Sequence, residues 1–384
     1  MDRIEEPLSA ESFLSLPESG PAGEAAFDSL ARQVFAHQYR RIEPYRRFCE
    51  GRGVTPETLI TWRDIPPAPA AAFKQFALSA TPITDCVPEK GGRTFHSSGT
   101  TGSETSRHFL DRNALDVYRF SLRYGFRRFV LPDGARLPVF ALMPPPAPSP
   151  DTDISPKNPA APHSSLSFML GELIDDHGGG FFARTGWQNE LAAALRHRTE
   201  PLVLFGTAFA FVHFFDAISE RFALPDGSRI VETGGFKGRS REISRDELYG
   251  LFGERFGVPP HYRLSEYGMS EMASQYYDST LRDYRDGLSR PVRKQGAFWL
   301  RTRLIDPVTG TDAPPGADGL LAHYDPGNLN SVMAILTEDL GRWAEDGDGF
   351  HLLGRAPGAV LRGCSLTAEE WESRRGSDGI TRRP

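Results

Sequence analysis

The side chains best suited to chemistry begin with a run of small residues, Ser97, Ser98, Gly99, Thr100, Thr101, Gly102 and Ser103, directly after His96. Glycines let a backbone fold tightly enough to aim several N–H groups at one anion. The hydroxyls add donors that can follow a phosphate as its charge redistributes. No Gly-Lys-Ser/Thr follows, so the run is not a Walker loop. Alone, such a run is a plain flexible turn more often than a phosphate cradle. Further along come Gly234-Gly235, then Tyr267-Gly268-Met269-Ser270-Glu271, then Thr337-Glu338-Asp339, then Gly354-Arg355. Each taken singly reads as a turn glycine, a surface acid or a solvated cation. Three cysteines occur, Cys49, Cys86 and Cys364, with no Cys-x-x-Cys pair to suggest zinc or a disulfide framework. Cys49 and Cys86 read as small buried hydrophobes.

The elements that must position these residues alternate. Arg93 to His96 reads as a short strand entering the small-residue run, and Ser106 to Leu110 resumes an extended pattern. Leu115, Tyr118, Leu122, Phe126 and Phe129 recur at helical spacing, with Arg119, Arg123 and Arg127 on another face expected to be solvated. Leu202–Phe205, Arg229–Glu232 and Tyr262–Ser265 read as strands. Thr207 can cap the helix after the first of these, expected to run to about Phe222; Ser244 and Glu247 form a capping-box pair for a helix that Gly257 can close. Strand and helix in alternation with short connections predict a parallel sheet wrapped by helices. Ligands of such sheets bind beyond the carboxyl ends of the strands, where Gly234-Gly235 and Tyr267–Glu271 would sit. Phe209, Phe211, Phe214 and Phe215 could line an acyl pocket, though a core helix is the plainer reading. From Lys294 to Gly354, Ala297–Leu300, Leu320–His323 and Gly349–Leu352 read as strands of an antiparallel or barrel-like subdomain. Met143 to Pro162, rich in Pro, Ala, Ser and Asp, reads as a surface loop, and the chain beyond Leu366 as a polar tail.

The five motifs, in this order, resemble the adenylate-forming superfamily of acyl-CoA synthetases, peptide-synthetase adenylation domains and luciferases. The resemblance covers about residues 90 to 365. It implies an α/β adenylate-forming core with parallel sheets wrapped by helices, a small β-barrel-like subdomain and a truncated C-terminal part. The expected divisions are a core over 1–353, β-rich over about 297–353, and a short segment 354–384 carrying Cys364. Ser97 to Ser103, led by Thr100 and Thr101, would hold the β- and γ-phosphates of ATP. Gly234 and Gly235 would lie against adenine, with Tyr267, Gly268 and Ser270 close by. Asp339 would accept from the ribose hydroxyls, and Arg355 would stand at a hinge. Glu271 would help bind Mg²⁺, as suits a hard carboxylate.

Longer stretches, SSGTTGSETSRHF, ETGGFKGRSRE, SEYGMSEMASQYY and LLGRAPGAVLRGCSL, are similar to the acyl-protein synthetases of bacterial luminescence fatty-acid reductase complexes. That family activates a fatty acid as its adenylate, takes the acyl group onto a cysteine near the C-terminus and hands it to a reductase. Here the cysteine would be Cys364. Two departures stand out: no lysine follows Lys294, and the phosphate loop lacks the superfamily's usual lysine. Lys237 and Arg107, with Arg239, are the candidate replacements for that positive charge. An acyl-CoA or aryl-CoA ligase using free coenzyme A and a non-catalytic nucleotide-binding scaffold remain open as alternatives.

Composition agrees with an enzyme of this kind. The 384 residues are 39% apolar with a formal net charge of -6, which argues against a nucleic-acid partner. The first residues, MDRIEEPLSAESF, lack an apolar core for a signal peptide. Leu204 to Phe215 is too short to span a bilayer. A cytoplasmic protein is therefore expected, with a fatty or other carboxylic acid as substrate and an acyl-accepting reductase as a possible partner.

Overall fold

The computed structural model describes residues 13, 16–97, 105–146, 164–234 and 243–357. Fourteen strands are numbered in chain order: β1 (Ala68–Pro69), β2 (Arg93–His96), β3 (Arg107–Leu110), β4 (Val139–Leu142), β5 (Gly179–Phe181), β6 (Val203–Thr207), β7 (Arg229–Thr233), β8 (Arg263–Tyr267), β9 (Tyr276–Asp278), β10 (Lys294–Gln295), β11 (Arg301–Ile305), β12 (Gly319–Tyr324), β13 (Ala334–Trp343) and β14 (Phe350–Arg355). Twelve of them share one sheet ordered β11-β12-β13-β14-β10-β9-β8-β7-β6-β4-β5, with β1 added against β13. Strands β4 to β8 run parallel, and from β8 to β11 every neighbouring pair is antiparallel. The expected α/β architecture is present. Its antiparallel strands continue edge to edge from the parallel ones.

Both faces of the parallel strands are covered, which is why they read as unbroken apolar runs. Val203, Phe205, Val231 and Leu264 point into one buried cluster with Phe95, Tyr118 and Phe168. Alternate residues Leu202, Leu204 and Ile230 point into a second cluster, with Phe211, Phe214 and Phe215 of helix Ala208–Ala217 and Phe252 and Phe256 of helix Arg245–Phe256. Those three phenylalanines are therefore core packing. Period-two alternation then puts Thr233 and Glu266 on the first face and Glu232 and Ser265 on the second.

Local signals behave as their chemistry requires. Thr207 Oγ1 accepts from Ala210 N at 3.1 Å, and Ser244 Oγ from Glu247 N at 3.1 Å. Gly257 ends its helix at φ +69°, a left-handed conformation that favours glycine. Three expectations need correction. The helix after Thr207 stops at Ala217, where Ile218 turns extended, rather than at Phe222. Ala297–Leu300 is a turn that buries Trp299, whose Nε1 donates to Ser274 Oγ at 3.1 Å, and the strand begins at Arg301. Arg119 and Arg123 are not a solvated stripe. They reach across to helix Ser165–His177, where Arg123 pairs with Asp176 at 2.6 Å and Arg119 with Glu172 at 2.9 Å.

The N-terminal helix Gly20–Arg41 is stapled to the far end of the chain by one buried amide. Gln38 Nε2 donates to Asn328 O at 2.7 Å, and its Oε1 accepts from Met333 N at 3.0 Å. No described helix is long and apolar enough to cross a membrane.

Candidate active site

The stem of the small-residue loop is the hairpin β2–β3, where His96 pairs with Arg107. Ser97 N donates to Ser106 O at 3.1 Å, and Ser106 N donates to Ser97 Oγ at 3.0 Å, so the two chains stay clasped where the loop begins. Ser98, Gly99, Thr100, Thr101, Gly102 and Ser103 lie outside the described residues, as do Gly235, Lys237, Arg239 and Cys364.

Ser106 itself is fully buried, and its Oγ donates to Glu271 Oε1 at 2.5 Å. Glu271 stands on the turn after β8, also buried, and is therefore brought against the loop stem from 165 residues away. Its backbone is held as firmly as its side chain. Asn328 Nδ2 donates to Glu271 O at 2.8 Å and to Val332 O at 2.9 Å. With that amide nitrogen committed, Asn328 Oδ1 must accept from His108 Nε2 at 2.6 Å, which assigns the imidazole its tautomer. Burial lowers the His108 pKa to about 4, so the ring stays neutral.

The turn is completed by Asp325. Its carboxylate accepts from Ala273 N at 3.0 Å, Ser274 N at 2.8 Å, Ser274 Oγ at 2.9 Å and Gly327 N at 3.0 Å. Burial nonetheless pushes the Asp325 pKa up to about 6, with these bonds opposing. Ser106, His108 and Asp325 went unmarked in the sequence. The available signal was alternation, since Ser106 and His108 face one side of their strand and Arg107 and Phe109 the other. Arg107 accordingly lies on the face away from Glu271, with its guanidinium 5.6 Å from the Phe109 ring.

A second group converges from three strands. Tyr267, ending β8, donates its hydroxyl to Asp339 Oδ2 at 2.9 Å, and His323 Nε2 of β12 lies 3.3 Å from the same hydroxyl. Asp339 is the register partner of Arg355 at the end of β14. Burial raises the Asp339 pKa, opposed by the Tyr267 hydrogen bond and by Arg355. Arg355 is exposed and pairs with Glu338 at 3.1 Å. Gly234 follows β7 at φ +68°, and Ser270 Oγ accepts from Ser165 Oγ at 3.3 Å.

Between these groups lies a carboxyl that sequence reading passed over. Glu266 is buried on β8, accepts from the Thr233 hydroxyl, and lies so close to Gly268 that a Cβ there would stand 2.5 Å from its Oε1. Burial lifts its pKa to about 7 against the pull of Thr233 and Lys294. Lys294 Nζ is itself occupied by Ser265 O at 2.8 Å and Asp278 at 3.1 Å.

Glu271 is the buried carboxylate at the loop stem, and no described cluster of three or more His, Cys, Asp or Glu could hold a metal alone. One hard carboxylate at the stem of a hydroxyl-rich run is the kind of ligand Mg²⁺ takes, since it binds one or two protein carboxylates and completes its shell with phosphates and water.

Chains of known structure place this architecture. The 2-hydroxyisobutyryl-CoA ligase in complex with 2-HIB-AMP and CoA in its thioesterification state matches with TM-score 0.63 at 14% identity, over 92% of this chain and 72% of that one. The open conformation of the same ligase matches with TM-score 0.61 at 14% identity, over 87% and 70%. The fold is that of the adenylate-forming ligases. A curated relative, the long-chain-fatty-acid–luciferin-component ligase of Vibrio harveyi, is 21% identical over 357 residues, 89% of this chain and 86% of its own. Residues 19–371 match the family model described as acyl-protein synthetase, LuxE, and the chain belongs to that family of AMP-forming ligases.

Proposed function

We propose that this chain activates a fatty acid with ATP and then carries the acyl group on Cys364 as a thioester for delivery to an acceptor such as a reductase. The observation that carries the reading is the Ser106–Glu271 hydrogen bond, which sets a buried carboxylate at the stem of the hydroxyl-rich run. A carboxylate is a poor electrophile because its charge repels nucleophiles and it has no good leaving group. In the first step a substrate carboxylate oxygen attacks the α-phosphorus of ATP, forming the acyl–AMP bond and releasing pyrophosphate. Thr100, Thr101 and their neighbours would donate to the departing phosphates. Glu271 would hold Mg²⁺, which supplies positive charge against the triphosphate. Tyr267, hydrogen-bonded to Asp339, would orient that carboxylate toward the ribose hydroxyls, with Arg355 at the adjoining strand end as the hinge. In the second step the Cys364 thiolate attacks the acyl carbon, forming C–S, breaking the bond to AMP and releasing AMP.

The other cysteines are poor rivals as carriers. Cys49 is buried beside Tyr45 and its pKa is raised to about 12 by that burial; burial also raises Cys86. Lys237 is proposed as a positive charge that aids adenylation, since Arg107 faces away from Glu271, and 354–384 as the segment that presents Cys364. The test separates the two half-reactions. Cys364→Ser is expected to keep ATP–pyrophosphate exchange near the wild-type rate while losing the hydroxylamine-sensitive acyl label. Cys49→Ser and Cys86→Ser should keep both. A Cys364→Ser protein with full thioester label overturns self-acylation, and efficient transfer to free coenzyme A would then favour a ligase that uses it.

A further inference from the structure

We propose that a second binding site, for a small molecule bearing several phosphate groups, lies at the opposite end of the parallel strands from the nucleotide motifs. A cleft of about 640 Å³ opens there, within the size range of small-molecule sites. Arg123, Arg127 and Arg128 line one side, from the end of helix Arg112–Gly125 and the π-turn Phe126–Val130 that continues it. Arg282 and Arg285 of helix Thr280–Arg285 line the other, and Asp286 is the acid among the lining residues. Such a concentration of guanidinium groups stands out on a chain whose net charge is -6.

The neighbouring acids leave cationic charge over. Arg123 is committed to Glu172 and Asp176. Arg128 has Glu18 at 3.7 Å, and Arg285 has Asp133 at 3.9 Å, a carboxylate already closed on the buried Arg229. Neither Arg127 nor Arg282 has a carboxylate within 4.0 Å among the described residues. Arg282 donates to the neutral Gln295 Oε1 at 2.9 Å and lies 5.3 Å from the Phe129 ring centroid. Burial depresses its pKa, and the charge of Arg128 depresses it further. Like charges held together on a concave wall raise the free energy of the empty site, and a bound polyanion removes that cost.

The wall is also rigid. Arg229 Nη1 donates to Val130 O at 2.6 Å and its other arm pairs with Asp133, pinning the π-turn. On the facing helix Asp283 is buried against Arg293 at 2.6 Å. Guanidinium forks match phosphate oxygens in pairs, and Phe120 and Tyr124 add an aromatic side to the cleft. The position is separate from the nucleotide motifs. Arg229 begins β7 and Gly234 follows its end, five steps of roughly 3.3 Å along a parallel strand.

The test is calorimetric titration of the full chain with inorganic tripolyphosphate at low and high salt, after a single equivalent of a non-hydrolysable ATP analogue has filled the nucleotide site and left the arginine cleft free. One further equivalent is expected to bind, more weakly at high salt. Arg127→Gln with Arg282→Gln, and separately the exposed Arg127→Glu, should weaken it by roughly tenfold or more while pyrophosphate exchange stays at the wild-type rate. No further equivalent, or one that both variants keep, overturns the proposal. So does binding that emerges only after Asp2, Glu5 and Glu6 are neutralised, since the chain's own acidic stretch would then be the occupant.

Discussion

Glu271 joins two parts of the chain through one short hydrogen bond from Ser106. Replacing it by Gln keeps its volume and removes the charge suited to Mg²⁺. Glu271→Gln is expected to lose most ATP–pyrophosphate exchange with little change in thermal melting; wild-type exchange across a Mg²⁺ titration would refute its role. Glu266 makes a different statement, about pH. Its pKa is raised from the ordinary 4.5 to about 7 by burial, so the folded state holds a proton that the unfolded state has released. The favourable contribution is complete below pH 4.5 and is lost as pH rises through about 7. Urea unfolding at pH 5 and pH 8 should show wild type losing more stability than Glu266→Gln, by up to roughly 3 kcal/mol. Equal losses would mean Glu266 does not hold the proton.

At the scale of the element, the β2–β3 hairpin and the β8–β9 turn are the two pieces that must meet. The hairpin brings Ser106, at the stem of the hydroxyl-rich run, to the turn, and Asp325 and Asn328 hold the turn in shape through six hydrogen bonds to residues 271, 273, 274, 327 and 332 and one from His108. Replacing Thr100 and Thr101 together by valine keeps their shape and deletes two donors. Adenylation is expected to fall by roughly 10²-fold or more, the scale of lost oxyanion donors. Unchanged exchange at saturating ATP would return the loop to an ordinary turn. Loss of exchange without loss of melting temperature separates this effect from misfolding.

For the whole molecule, the connection between the chain's beginning and its antiparallel strands rests heavily on Gln38. It is fully buried and bridges helix Gly20–Arg41 to Asn328 and Met333. Gln38→Leu keeps approximate bulk but orphans the carbonyls of Asn328 and Leu329 and the N–H of Met333 in the interior, each costing about 1–3 kcal/mol. The variant is expected to melt at lower temperature and to lose exchange activity in proportion to unfolding, because Asn328 also supports Glu271. A Gln38→Leu protein as stable as wild type would show that the helix is held by its apolar face alone.

Much of this molecule was determined locally. The strands at 202–205 and 229–232, the caps Thr207 and Ser244 and the stop at Gly257 follow from side-chain period and backbone chemistry that act within a few residues. Tyr267 and Asp339 stood out as motif residues, but their hydrogen bond to one another joins positions 72 apart and could not be read. What could not be read were relations between distant positions. Ser106 and His108 are ordinary strand residues until burial forces each to find a partner, and those partners lie 165 and 220 residues away. Arg119 and Arg123 looked solvated because the acids that neutralise them belong to another helix. The Glu266 proton and the arginine cleft likewise depend on which groups the fold gathers around them. Periodicity and capping are properties of neighbours along the chain, whereas desolvation and charge pairing are properties of neighbours in space, and only the tertiary structure decides those.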